Sequence, residues 1–128
     1  MPTLPYAMNR WHGPQSQTLA DAAVHARLAL GDRDMWVVIA RADGTPWDEI
    51  AATLEMTRQG AALARKRGRA LIAGSLVLAG HDDREWNNGR MRATHAARMA
   101  VRAHLDALTD AELIATTPES LAADGIQW

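Results

Sequence analysis

Alanine fills 26 of the 128 positions, and no residue is more at home in an α-helix. The prolines stand at Pro2, Pro5, Pro14, Pro46 and Pro118, which leaves long stretches in which a helix can propagate. Phenylalanine is absent and tyrosine occurs once, so aromatic residues that favour strands are scarce. The expectation is an all-α fold. With 48% hydrophobic and 23% charged residues, the composition is that of a globular chain and not a disordered one. A chain of this length makes one ordinary domain, burying roughly two-thirds of its unfolded surface.

Several chemistries fall away early. There are no cysteines, which removes disulfides, thiolate zinc sites and cysteine nucleophiles. His12, His25, His81, His95 and His104 lack metal-ligand spacing, and Asp82, Asp83 and Glu85 read as solvated acids of a polar loop. No nucleophile–base pair and no phosphate loop stands out, so neither an enzyme nor a cofactor is expected. The longest apolar run, Leu71–Gly80, is far short of the roughly 20 residues of a membrane span. Residues 1–14 lack the apolar core of a secretory signal. A cytoplasmic protein is expected.

The net charge of −1 conceals a partition. Residues 1–55 carry −3, residues 56–102 carry +7 and residues 103–128 carry −5. A +7 block is what a polyanion-binding surface looks like in one dimension. It is equally what results when flanking acids balance the block in three dimensions.

Hydrophobic spacing and capping signals divide the chain into a flexible arm (1–14), a central domain (15–80) and a helical extension (81–128). The first helix is expected from Ser16 or Thr18 to Leu30, with Gly31 as its stop, and a second from Asp32 or Asp34 to Ala42. Asp43-Gly44 marks a turn. Thr45-Pro46-Trp47-Asp48 reads as a helix start, with Thr45 as the cap, Pro46 in the first turn and Asp48 closing a capping box. That short helix ends near Leu54, and Thr57 caps the next, to about Arg67. Arg69–Gly80 can be helix, or a buried strand at Leu76–Leu78. If strand, Asn88-Gly89 can turn a wing that sends Arg90 and Arg92 into a minor groove. A long helix follows from Arg90 to Leu108, and Thr109-Asp110 and Thr117-Pro118 start two short ones. In the long helix, Arg90, Arg92, Arg98 and Arg102 can face DNA, while Met91, Ala97, Val101, Leu105 and Leu108 can pack on the domain or on a second subunit.

Met35 to Arg67 reads MWVVIARADGTPWDEIAATLEMTRQGAALARKR. This quarter of the chain resembles the helix-turn-helix superfamily of DNA-binding regulators, and in particular small bacterial regulators with the core G-x-S-W-x-E-I-A-x-x-L-G-x-S-R-Q-A-A. In that pattern Ile50, Ala51, Leu54, Met56, Ala61 and Ala64 are the small and apolar positions between two crossing helices. Glu55 departs from the pattern, because the family usually has glycine at this turn. A non-glycine residue with positive φ costs on the order of 1 kcal/mol.

The resemblance implies that Thr57, Arg58, Gln59, Ala62, Leu63, Arg65, Lys66, Arg67 and Arg69 face double-stranded DNA. Arg58 can pair with guanine, Gln59 with adenine, and Ala62 and Leu63 can touch thymine methyls. Thr57, Arg65, Lys66, Arg67 and Arg69 suit phosphates or distal base edges. Trp36 and Trp47 are expected in the core. The implied function is a sequence-specific transcriptional regulator, a repressor acting as a homodimer. The alternative is an antitoxin or phage-type regulator whose acidic C-terminal segment binds a protein partner. A weaker third reading is a DNA-packaging or recombination accessory factor.

Overall fold

The computed structural model describes residues 3–9, 18–79 and 91–126. Among them are a short 3₁₀ turn (Tyr6–Asn9) and six α-helices: α1 (Leu19–Ala42), α2 (Trp47–Thr53), α3 (Arg58–Ala79), α4 (Met91–Asp106), α5 (Asp110–Ala115) and α6 (Pro118–Ala123). The all-α expectation holds, and no strand occurs among the described residues. No described helix is long and apolar enough to cross a membrane.

Two boundaries differ from the sequence reading. Gly31 does not stop a helix; α1 runs through it for 24 residues, about 36 Å. Likewise α3 does not end at Arg67 but continues through Gly68 and Gly74 for 22 residues. Leu76–Ala79 is therefore helix and not the strand of a wing; Asn88, Gly89 and Arg90 lie outside the described residues. Packing explains both differences. The long helices lie antiparallel, and two glycines sit where α1 and α3 approach. A Cβ on Gly31 would be 3.3 Å from Leu71 Cδ1. One on Gly68 would collide with the Asp34 carbonyl oxygen, lying 2.6 Å from its carbon and 2.9 Å from Val38 Cγ2. Close approach offsets the roughly 1 kcal/mol that glycine costs inside a helix.

The turns follow local chemistry. After α1, the Thr45 N–H donates to the Ala40 carbonyl and the Gly44 N–H to that of Arg41, with Gly44 at φ 84°. After α2 the same closure recurs, with the Met56 N–H on Ala51 and the Glu55 N–H on Ala52. The residue in the left-handed position is here Glu55, at φ 54°. The turn thus keeps the glycine-type geometry without glycine. At the start of α2, Pro46 and not Thr45 holds the capping position, with no side-chain cap. Both short C-terminal helices carry full capping boxes, Thr109 with Glu112 and Thr117 with Ser120.

The core has two parts. The larger joins Met35, Val38 and Ile39 of α1 to Ile72, Ala73 and Leu76 of α3, Val101 and Leu105 of α4, Leu113 and Ile114 of α5, and Leu121 of α6. Helices α4 to α6 thus share one core with α1 and α3, and the apolar stripe of α4 packs inward through Val101 and Leu105. Leu4, Tyr6, Ala7 and Met8, placed in the expected arm, also pack against this core. The smaller part joins Val37, Ile50, Ala51, Ala61 and Ala64, with Trp47, Leu54 and Met56 at its edge. It fastens α2 to the first two turns of α3.

The two helical glycines of α3 should behave oppositely. Gly68→Ala forces α1 from α3 and should lower stability by about 1–3 kcal/mol, the range for overpacking. Gly74→Ala meets nothing within 4 Å and should raise it by about 0.5–1 kcal/mol through helix propensity. Thermal melts of the two proteins check this, and equal shifts would contradict the close crossing.

Candidate nucleic-acid interface

Helix α3 presents two faces. Ala61, Ala64, Gly68, Ile72, Ala73 and Leu76 are buried. Opposite Ala61, Ala64 and Gly68, the residues Gln59, Ala62, Leu63, Lys66 and Ala70 are exposed, as 100° per residue requires. At the N-terminus the Thr57 hydroxyl accepts the Gly60 N–H at 3.0 Å, so Thr57 caps the helix as expected. Arg58 meets Asp48 of α2 at 3.1 Å, with both side chains mostly in solvent. Such a pair contributes about 0–1 kcal/mol and yields readily to another anion.

The arginines further along have different company. Arg65 grips Asp110 at the start of α5 with two parallel hydrogen bonds of 2.8 and 2.9 Å. Arg69 bonds the same carboxylate at 2.6 Å and the Leu108 carbonyl at 2.7 Å, which ties off the end of α4. Arg67 donates to the buried Asp34 of α1 at 3.1 Å, and Arg33 holds that carboxylate's other oxygen at 3.2 Å. Of the basic residues read as DNA contacts, Arg65 and Arg69 thus hold α3 to the C-terminal helices, and Arg67 holds it to α1. Lys66 has no ion pair among the described residues. Of the residues read as DNA contacts, those exposed together over the first turns of α3 are Thr57, Arg58, Gln59, Ala62, Leu63 and Lys66.

Other positions depart from expectation. Trp36 is 44% exposed and lines an open groove with Val37, Ala40, Ile50 and Leu54, so it is not a core residue. Trp47 is half-buried beneath the Arg41 guanidinium, 4.7 Å from the ring centroid, and Arg41 also donates to the Thr45 carbonyl at 2.7 Å. That contact fixes the link between α1 and α2. On α4, Arg102 pairs with Asp106 one turn on at 3.0 Å, and Arg98 is half-buried. Asp34 and Asp110 were missed by sequence reasoning. The one local signal was Arg65 and Arg69 standing four apart, a spacing at which one carboxylate can serve two guanidinium groups.

Burial pushes the Asp110 carboxyl up, but the hydrogen bonds and charges of Arg65 and Arg69 outweigh it and hold the group below its ordinary value. No protein-family model matches the chain, and neither curated proteins nor solved structures show a significant match to it.

A carboxyl lowered on folding contributes stability above its unfolded value, and that contribution disappears as the pH falls through the lower folded value. The Asp110 contribution should therefore be complete at pH 7 and disappear below the ordinary value of 3.8. Asp110→Asn leaves two guanidinium groups underpaired and should cost about 2–3 kcal/mol at pH 7. Its deficit against the parent should shrink in strong acid, as measured by denaturant titration from pH 7 to pH 2. A deficit that stays constant would contradict an ionised Asp110 as the tie.

Proposed function

We propose that this protein is a sequence-specific double-stranded DNA-binding regulator, a repressor that acts as a homodimer in the cytoplasm. Helices α2 and α3 serve as its helix-turn-helix, and the first half of α3 enters the major groove. One observation carries the reading: the first turns of α3 set Arg58, Gln59, Ala62, Leu63 and Lys66 outward, where the core makes no use of them. Leu63 is the telling member, an uncovered leucine between Gln59 and Lys66 on a helix whose other side is fully packed. In a major groove each of these side chains finds a partner. Arg58 can fork onto guanine, Gln59 onto adenine, and Ala62 and Leu63 can lie against thymine methyls.

Among the described residues, the phosphate contacts are fewer than the +7 block suggests. Lys66 is available, Arg58 can exchange Asp48 for a phosphate, and the half-exposed Arg67 can reach outward while it holds Asp34. Repression then follows from occluding a promoter. The same accounting disfavours an acidic C-terminal surface for a protein partner. Asp110 and Asp106 are occupied by arginines of this chain and Glu112 by its own helix cap, which leaves Glu119 and Asp124 as the free acids of the described tail.

The test begins with an operator selected from random duplexes. Arg58→Ala with Gln59→Ala should weaken that complex by about 1–3 kcal/mol per lost base contact. Its circular dichroism and melting temperature should match the parent, since both side chains face out. An operator affinity that does not change would refute α3 as the reading helix.

Lys66→Ala should act differently, weakening all duplexes alike and flattening the plot of log K against log salt by about 0.9 per subunit. Arg69→Ala should instead lower the melting temperature. Equal flattening by both, at equal stability, would return Arg69 to the phosphate surface.

A further inference from the structure

The first half of α1 covers little and is covered by little. Between Thr18 and Leu30 every described side chain is exposed except those of His25 and Leu28, which are half-buried. Leu19 is 88% exposed and Leu30 51%, large apolar side chains left to water. With 100° per residue, Leu19, Ala23, Ala26 and Leu30 fall in a sector about 60° wide. Helix α3 extends the patch. Leu78 is 60% exposed, and Leu71 and Ala70 line a groove shared with Leu30 and Gly31.

The order of these side chains says what covers them. Leu19, Ala23, Ala26 and Leu30 are spaced four, three and four apart and run large, small, small, large. Reversed, the series is the same in spacing and in size. Four-three-four is the seam spacing of a coiled coil, and a palindromic seam complements an antiparallel copy of itself about a two-fold axis. In that pairing Ala23 faces the partner's Ala26, which lets the backbones approach. Leu19 faces the partner's Leu30, which closes each end.

We propose that two copies of this chain pair antiparallel through Leu19, Ala23, Ala26 and Leu30 of α1, flanked by Leu71 and Leu78 of α3. This names the homodimer surface of the DNA-binding reading and rests on that reading for its geometry. The reading end of α3 lies about 20 Å along the helix from the Leu71–Leu78 stretch. Across a two-fold axis, two such ends can therefore stand up to about 40 Å apart, enough to span the roughly 34–36 Å between half-sites. The paired face is two helices wide and about 18 Å long. It is therefore at the small end of specific interfaces, which bury about 800 Å² per partner.

The absence of cysteine makes the test clean. Ala23→Cys and Ala26→Cys proteins, prepared separately, mixed in equal amounts without DNA and mildly oxidised, should give the 23–26 heterodimer in clear excess over the 1:2:1 mixture of random pairing, and a random mixture would count against the seam. Preference for the 23–23 and 26–26 products would overturn the antiparallel pairing. In parallel, sedimentation of the full chain from about 1 to 200 μM should show self-association, placing it in the micromolar class of small interfaces. Leu30→Glu should weaken it at least ten-fold, towards the 13.9 kDa monomer, with helix content unchanged and with the parent's melting temperature at concentrations where both are monomeric. A parent chain that stays monomeric throughout, or a dimer indifferent to Leu30→Glu, would overturn the proposal. None of these measurements contains DNA, so they succeed or fail independently of whether α3 reads a sequence. The Arg58 and Gln59 double variant should keep the dimer and lose the operator.

Discussion

The crossing of α1 and α3 at Gly68 and Asp34 is the constraint from which the rest follows. There the second helix runs so close to the backbone of the first that a single methyl group has no room. The contact fixes depth and register together, since sliding α3 by one residue would drive Arg67 or Arg69 into the space that Gly68 leaves. Val38, Ile72 and Leu76 then meet the C-terminal helices at one core, while Val37, Ala61 and Ala64 receive α2. Asp34 takes part twice, through its backbone as the wall of the crossing and through its carboxylate as the anchor of Arg67.

A second theme is how the basic segment uses its charge. Counted along the chain, it resembles a single cationic surface. In the fold, Arg65 and Arg69 share one carboxylate, Arg67 takes another, and Arg102 a third. Among the described residues the partition of charge is largely a record of internal pairing, and the guanidinium forks serve as struts between helices. Among the described residues, the side chains left exposed at the start of α3 form a small set, and it is chemically mixed. A mixed set suits recognition of particular bases more than broad attraction to phosphate.

Local signals made much of this legible. The helix starts at Thr109 and Thr117, the turn at Asp43-Gly44, the cap at Thr57 and the inward series from Ile50 to Ala64 depend on neighbours a few residues away, and they stand as read. Glu55 keeps its left-handed geometry because the carbonyls it leaves are satisfied by the Glu55 and Met56 N–H groups, whatever side chain it carries. The misread positions share one cause, a partner distant in sequence. Gly31 and Gly68 look like helix stops until the opposing helix is known. Asp110 looks like a first-turn acid until two arginines more than forty residues earlier reach it. Trp36 looks like core because tryptophan usually is, yet the helix turns it outward.

The division of the core has a consequence for motion. Helix α2 has seven residues and buries only Ile50 and Ala51, whereas α3 is secured over its length by α1 and by the arginine ties to α5. Opening of the smaller cluster alone exposes few apolar groups and leaves the larger one closed, so it requires far less free energy than global unfolding. The cheapest opening expected of this fold is therefore one in which α2 swings free while α3 stays folded and in place. Amide hydrogens of Trp47–Thr53 would exchange through that state, out of step with those of Ile72–Leu76. A surface that docks against α2 would stabilise α3 no further and would act mainly by suppressing this opening.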